Sequence, residues 1–190
     1  MEEIELVKLL KQGDKIAFDQ LYERYKDILM RMAYLICGNL ADSEDVVQES
    51  FIKCYQCIDQ LKQEERFKSW LFQILTRTAW KYCKKRAKEI ADEDKVVEKV
   101  DYKELSSLDI VLDKERDKKL MELINGLSIK HRTTLVLYYY NELSTKEIAK
   151  ILGCLEGTVK SRLFTARKLL KKSIIESEKR QEGLLHETWG

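Results

Sequence analysis

Apolar residues recur along this chain at intervals of three and four, the spacing of one face of an α-helix. Ile4, Val7 and Leu10 face one way in a first short helix. Asp14 is placed to cap a second, whose stripe is Phe18, Leu21, Tyr25, Ile28, Met32 and Leu35 and whose end suits Gly38. Asp42 or Ser43 can cap a third, with Val47, Phe51, Cys54 and Ile58 on its buried side. A short polar loop, Gln60 to Arg66, leads to a fourth helix from about Phe67 to Lys88, with Trp70, Leu71, Ile74 and Leu75 as its apolar positions. The helical pattern resumes over Leu112 to Leu123, and Ile129 to Tyr140 reads as a strongly apolar helix. The chain has no proline and only seven glycines, so the breakers that strands and hairpins use are scarce. The expected fold class is all-α.

The stretch Leu143 to Leu170, LSTKEIAKILGCLEGTVKSRLFTARKLL, carries the sharpest chemical signal. Ser144 followed by Glu147 is a capping box, so a helix begins there. Ile148, Ile151 and Leu152 line one face of it, and Gly153 suits the left-handed residue that ends it. Cys154 and Leu155 are expected as turn residues tucked against the core. A second helix begins near Glu156 or Gly157, with Val159, Leu163, Ala166 and Leu170 as its apolar stripe. Thr158, Lys160, Ser161, Arg162, Thr165, Arg167 and Lys168 lie off that stripe. Thr158 to Lys172 holds six Lys or Arg and no acid, a charge that repels itself and that a polyanion relieves. A basic face by itself is usually just solvated. Joined to a capped first helix and a tight turn, it has the design of a helix-turn-helix that puts its second helix in the major groove of DNA.

Net charge is +2, which says little until it is mapped. Arg66 to Lys88 holds eight Lys or Arg and no acid, interleaved with Trp70, Phe72, Trp80 and Tyr82. Unpaired bases stack on such rings, at about 1–3 kcal/mol per base, while cations track the phosphates. A core role for Trp70 and Phe72 is at least as natural, but the unbroken positive charge points to a nucleic-acid groove. Glu89 to Asp117 reverses the sign, with eleven acids against five bases and weak periodicity, as in a linker.

Five scattered cysteines argue against a disulfide framework. Cys54 and Cys57 form a CxxC, but no second pair accompanies it and His131 and His186 are distant, so packed thiols are expected there rather than a metal site. No cofactor and no catalytic residue is expected. No apolar run approaches the roughly 20 residues of a membrane span. The acidic, amphipathic start MEEIELVKLLKQGD is unlike a secretory signal, so the expected location is the cytoplasm.

Three blocks, DSEDVVQESFIKCY (Asp42 to Tyr55), FKSWLFQILTRTAW (Phe67 to Trp80) and the helix-turn-helix, in this order and spacing, make the chain resemble the extracytoplasmic-function (ECF) class of sigma-70 RNA polymerase sigma factors. The resemblance covers about Asp14 to Lys172. It implies two small helical domains joined by a flexible linker: a sigma-2 four-helix bundle over 1–88, an acidic linker over 89–112, a sigma-4 domain over 113–176 and a tail over 177–190. It implies core RNA polymerase (beta-prime and beta subunits) and promoter DNA as partners, and an anti-sigma factor as regulator. Asp42, Asp45, Gln48, Glu49 and Phe51 match positions that dock on a coiled coil of beta-prime. Gln63, Phe67, Lys68, Ser69, Arg77, Trp80, Lys81 and Lys84 match those that read and open the promoter −10 element, with a base flipped from the stack.

The recognition helix would read the duplex −35 element. Lys160, Ser161, Phe164 and Thr165 are placed for bases, and Arg162, Arg167 and Lys168 for phosphates, with Thr158 beside them. The chain departs from the family pattern at three places. Leu127-Ser128-Ile129 stands where a proline is usual, Arg77 where asparagine is common, and Leu155 where a small polar residue is common. These bear on promoter preference rather than on the assignment. A polymerase-independent helix-turn-helix regulator is the alternative reading. It leaves the acidic third helix and the basic fourth helix without a role.

Overall fold

The computed structural model describes residues 1–92 and 121–187 of the chain, with side chains over 1–88 and 121–176. Among the described residues every regular element is helical. The N-terminal half has four helices: α1 (Glu3–Lys11), α2 (Lys15–Cys37), α3 (Leu40–Cys57) and α4 (Phe67–Asp92). Two 3-10 turns, Ile58–Gln60 and Glu64–Arg66, bridge α3 to α4.

Local chemistry sets these ends. The Asp14 carboxylate accepts the Ala17 N–H at 3.0 Å and starts α2. Gly38, at φ +80°, turns the chain out of α2 in the left-handed region that L side chains avoid. An added Cβ there would also lie 2.6 Å from Asn125 Oδ1, so that side chain would have to shift as well. Asn39, not Asp42 or Ser43, caps α3: its side-chain oxygen accepts the Asp42 N–H at 2.8 Å. The helix therefore starts three residues earlier than expected. Asp42 falls in the first turn, and Ser43 is buried with its hydroxyl donating to the Asn39 carbonyl.

The stripes meet in one core. Leu6, Val7 and Leu10 of α1, Leu21, Leu29 and Met32 of α2, Val46 and Phe51 of α3, and Phe67, Leu71, Phe72 and Leu75 of α4 are buried. In α1 it is Leu6, rather than Ile4, that joins Val7 and Leu10 inside. Each such Leu or Phe stabilises the fold by about 1.5–3 kcal/mol relative to exposure. Lys11 closes the loop side, donating to the Leu61 carbonyl at 2.6 Å and to Glu64 at 2.5 Å.

The C-terminal half begins with helical residues 121–125, then α5 (Ile129–Leu135), a π-turn (Val136–Tyr140), α6 (Thr145–Leu152) and α7 (Glu156–Glu187). The expected single helix Ile129 to Tyr140 thus changes pitch at Val136, where the Asn141 N–H bonds back to the Val136 carbonyl at 3.1 Å. Val136 and Leu137 stay buried while Tyr139 and Tyr140 face out. Residues 177–187 of the expected tail continue the α7 backbone, most of them (Glu, Lys, Arg, Gln, Leu) being good helix formers. The acidic segment expected over 89–112 enters α4 for its first four residues, and the rest of it lies outside the described residues, as does the start of the helical pattern at Leu112.

The two halves touch. Gln73 Nε2 of α4 donates to the carbonyls of Lys150 and Ile151 at 3.3 and 3.4 Å, at the end of α6. Trp80 Nε1 donates to Thr133 Oγ1 of α5 at 2.9 Å, and that hydroxyl in turn donates to the Ile129 carbonyl at 2.7 Å.

Candidate nucleic-acid interface

The helix-turn-helix is built from its caps outward. Ser144 Oγ accepts the Glu147 N–H at 3.3 Å, and the Glu147 carboxylate accepts the Ser144 N–H at 2.9 Å, so the box closes in both directions. The Ser144 hydroxyl, which donates to Glu147 Oε2 at 2.6 Å, and then the Ser144 N–H hold the Glu147 carboxyl below the usual carboxylate range. Gly153 ends α6 in the left-handed region at φ +62°. Thr145 Oγ1 donates to Glu156 Oε1 at 2.8 Å, tying the start of α6 to the start of α7.

Leu155 departs from expectation: it is 80 % exposed, while Cys154 packs against the core. Only one of two consecutive turn residues can face inward, and Val159, fully buried, fills the space behind them. Val159, Leu163 and Ala166 seat α7 as expected.

The opposite side of α7 is the candidate duplex-reading face. Lys160, Ser161, Phe164, Arg167 and Lys168 are exposed, and Thr158, Arg162 and Thr165 are half-buried. Phe164 is 70 % exposed, a large apolar ring set among cations and hydroxyls. Lys160 pairs with Glu156 one turn back at 2.9 Å, a weak surface contact that DNA can replace. Arg167 is more committed. Its Nε donates to the Tyr139 hydroxyl at 2.8 Å and its guanidinium lies over the rings of Tyr138 and Tyr139 at 5.4 and 5.5 Å.

On α4 and the loop before it, Gln63, Lys68, Arg77, Lys81 and Lys84 are exposed and Ser69 is half-buried. Phe67 is a correction: it has no exposed surface, and its ring packs against Tyr25 at 5.6 Å and Trp70 at 6.3 Å. As the first residue of α4 it turns inward, in register with Leu71 and Leu75. Phe72 is also fully buried. Trp80 is half-buried, its indole engaged by Thr133 of the other half.

The acidic face of α3 divides in the same way. Asp45 and Gln48 are exposed. Glu49 pairs with Lys53 at 2.7 Å and Lys81 at 3.3 Å, and Lys53 above all lowers its carboxyl. Asp42 accepts from Arg86 at 3.0 Å. Phe51 lies on the buried side of α3, as its stripe predicts: only 4 % of it is exposed, since its ring packs against Phe18 and Tyr22 at 6.2 and 4.7 Å. It supports the face from beneath rather than forming part of it. The α4 cations thus partly neutralise the α3 acids, a cross-helix pairing that opposite charges on neighbouring helices could have suggested.

Among the described residues no group of three or more His, Cys, Asp or Glu could hold a metal ion, and no helix is long and apolar enough to cross a membrane. Cys54 of the CxxC is buried, and burial pushes its thiol up to about 12.

Comparison with known proteins assigns these elements. The family described as Sigma-70 region 2 matches residues 21–89, and that described as Sigma-70, region 4 matches residues 117–170. The ECF RNA polymerase sigma factor SigW of Bacillus subtilis is 31% identical over 176 residues, which are 88% of this chain and 94% of that protein. The ECF RNA polymerase sigma-E factor of Haemophilus influenzae is 33% identical over 179 residues, covering 89% of this chain and 93% of that protein. Among solved structures, the sigma factor RpoE in complex with the anti-sigma factor NepR from Bartonella quintana aligns at TM-score 0.66 with 27% identity, over 83% of this chain and 96% of that one. CnrH, solved with the cytosolic domain of CnrY, shares the fold at TM-score 0.67 and 23% identity, over 92% of this chain and 97% of that one. With a capped helix-turn-helix, a basic α4 and relatives matched along nearly their whole length, the chain belongs to the ECF sigma factors of the sigma-70 family, which direct RNA polymerase to promoters.

Proposed function

We propose that this sigma factor divides promoter reading between residues 1–88, which bind core polymerase and take up the −10 element, and residues 113–176, which read the −35 duplex. The observation that supports this reading best is the exposed row Lys160, Ser161, Phe164 and Lys168 on a helix whose other side is locked into a capped helix-turn-helix. Lys160 and Ser161 contact base edges, Phe164 and Thr165 meet apolar base surface such as a thymine methyl, and Thr158, Arg162, Arg167 and Lys168 lie beside phosphates. On α4, Lys68, Arg77, Lys81 and Lys84 follow the backbone of the opened strand, with Gln63, Ser69 and Trp80 near the captured bases. Asp45, Gln48 and Glu49, with Asp42 behind them, present the acidic face to polymerase.

Capture of unstacked bases pulls the melting equilibrium toward the open complex, so the chain works by binding and catalyses no reaction of its own. Core polymerase is its partner, and the cytoplasm its place of action. Each half alone makes few contacts, and polymerase raises the effective concentration of one site for the other. The contact of Gln73 and Trp80 with the C-terminal half covers part of the α4 face, so the halves separate as the holoenzyme forms.

An anti-sigma factor would hold the chain in its inactive form, as the structure of the Bartonella quintana relative with NepR suggests by similarity. A groove of about 640 Å³, lined by Leu35, Ile124, Leu135, Leu170, Ile174 and the Tyr139–Arg167 platform, suits an amphipathic helix of such a partner.

The base-reading role has a direct test. Lys160→Ala is expected to cost about 1–3 kcal/mol at one position of the −35 element and little elsewhere, read by initiation from a library randomised over that element. An equal loss at every sequence would make Lys160 a phosphate contact instead.

A further inference from the structure

One side chain reaches from the first helix to the loop that precedes α4. Lys11 is the last residue of α1, and it lies before the segment, residues 21–89, that matches Sigma-70 region 2. Its ammonium donates to the Leu61 carbonyl at 2.6 Å and to Glu64 Oε1 at 2.5 Å. The Lys11 and Glu64 side chains are each 22 % exposed, so the pair is sheltered without being sealed.

The helix behind this clasp is fixed. Leu6 and Val7 have no exposed surface and Leu10 has almost none, which seats α1 on the core beside Lys11. The Asp14 N–H bonds back to the Leu9 carbonyl at 3.1 Å, and the Tyr25 hydroxyl donates to Glu3, so α1 is tied to α2 at both ends. Lys11 therefore reaches out from a set point, and that reach decides where the loop sits.

What it holds is an arch. Leu61 and Phe67 are buried, so the loop is rooted in the core on either side. The Leu61 N–H returns to the Ile58 carbonyl and the Arg66 N–H to the Gln63 carbonyl, both at 3.0 Å. Between the two points that Lys11 grips, Lys62 and Gln63 are exposed. Gln63 carries an amide that both donates and accepts, as a base edge requires, and Lys62 a cation for the neighbouring phosphate.

Magnitudes separate positioning from stabilising here. An ion pair with this much solvent access contributes little to folding. The same contact removes freedom from the arch before DNA arrives, so base capture does not bear the cost of ordering it. Lys11 also neutralises Glu64: its hydrogen bond holds that carboxyl below the usual carboxylate range, and Lys8 adds to the effect. A free carboxylate beside Gln63 would repel the phosphates of an incoming strand.

We propose that Lys11 is a positioning residue for −10 recognition: it grips the loop at Leu61 and Glu64 and so presets the Lys62–Gln63 arch for one unstacked base. The inference rests on the reading that this loop takes up −10 bases. The clasp sets how sharply one base of the element is discriminated, while the fold and the binding of core polymerase depend on it little.

The test uses holoenzyme selecting from fork-junction templates randomised over the single-stranded −10 element. Gln63→Ala is expected to weaken the base preference at one position. Lys11→Met, which keeps the apolar stem, should weaken it at that same position by about tenfold, the ordering cost of roughly one residue. Lys11→Arg, which can donate to both partners, should retain it. Glu64→Ala removes one of the two bonds and should give a smaller loss, again at that position. All four variants should keep the wild-type urea midpoint and core polymerase affinity. Equal losses at every position would overturn the proposal, as would a Lys11→Met loss at a position that Gln63→Ala leaves alone. A preference lost in Gln63→Ala but kept in both Lys11→Met and Glu64→Ala would refute the clasp and leave the loop reading standing. A Gln63→Ala holoenzyme with the full wild-type preference would remove Gln63 from base reading, and the clasp with it.

Discussion

Tying α4 to α6 with a reducible bismaleimide between residues 73 and 150 is expected to abolish promoter-dependent initiation, and adding reductant to restore it. The reagent is a Gln73→Cys, Lys150→Cys variant whose five native cysteines are replaced by alanine or serine, with the untreated variant as reference. The expectation follows from where the halves touch. Gln73 donates to two carbonyls of α6 and Trp80 to Thr133, and both lie on the helix that carries the single-strand candidates. Each of these bonds is worth about 0.5–1.5 kcal/mol net. That is enough to populate a closed form in the free chain and little enough for polymerase to open it by binding the separated halves better. Clamped protein that initiates as well as the reference would mean that promoter opening proceeds with the halves in contact.

Phe67→Ala is expected to cost about 3–5 kcal/mol of stability, a large part of the 5–15 kcal/mol that holds a typical domain together. Phe67 has no exposed surface and its ring touches Tyr25 and Trp70, so truncation leaves a cavity between α2 and α4. Phe67→Leu keeps most of the volume and should cost on the order of 1.5 kcal/mol. Urea unfolding measures both, and permanganate reactivity of the −10 thymines measures opening by the leucine variant. A core role predicts a folded leucine variant that opens promoters. A leucine variant that folds and binds but leaves the thymines unreactive would make the ring a base-stacking group, and an alanine variant with an unchanged unfolding midpoint would remove it from the core.

Much of this architecture was legible in the chain because it is written in short-range chemistry. Capping boxes, left-handed glycines and stripes spaced by three and four act within one or two turns. Hence Ser144–Glu147, Gly38, Gly153 and the Val159–Leu163–Ala166 stripe stand as read. The misreadings share a different cause. Phe67 lies in a motif whose neighbours face solvent, and a motif does not say which of its residues look inward. Asn39, Asp42 and Ser43 are equally good cap residues by type, and it is the exit of the chain from α2 at Gly38 that puts Asn39 at the cap.

What the sequence could not show is long-range. Trp80 meets Thr133 and Arg167 meets Tyr139 across separations that no periodicity encodes.

The central claim is that this chain becomes a promoter reader only in the hands of core polymerase. Run-off transcription with purified core polymerase on a genomic fragment library, with and without the protein, tests it most directly. The account predicts transcripts that appear only when the protein is added and that start downstream of one shared pair of sequence elements. A transcript set identical in its presence and absence would contradict it.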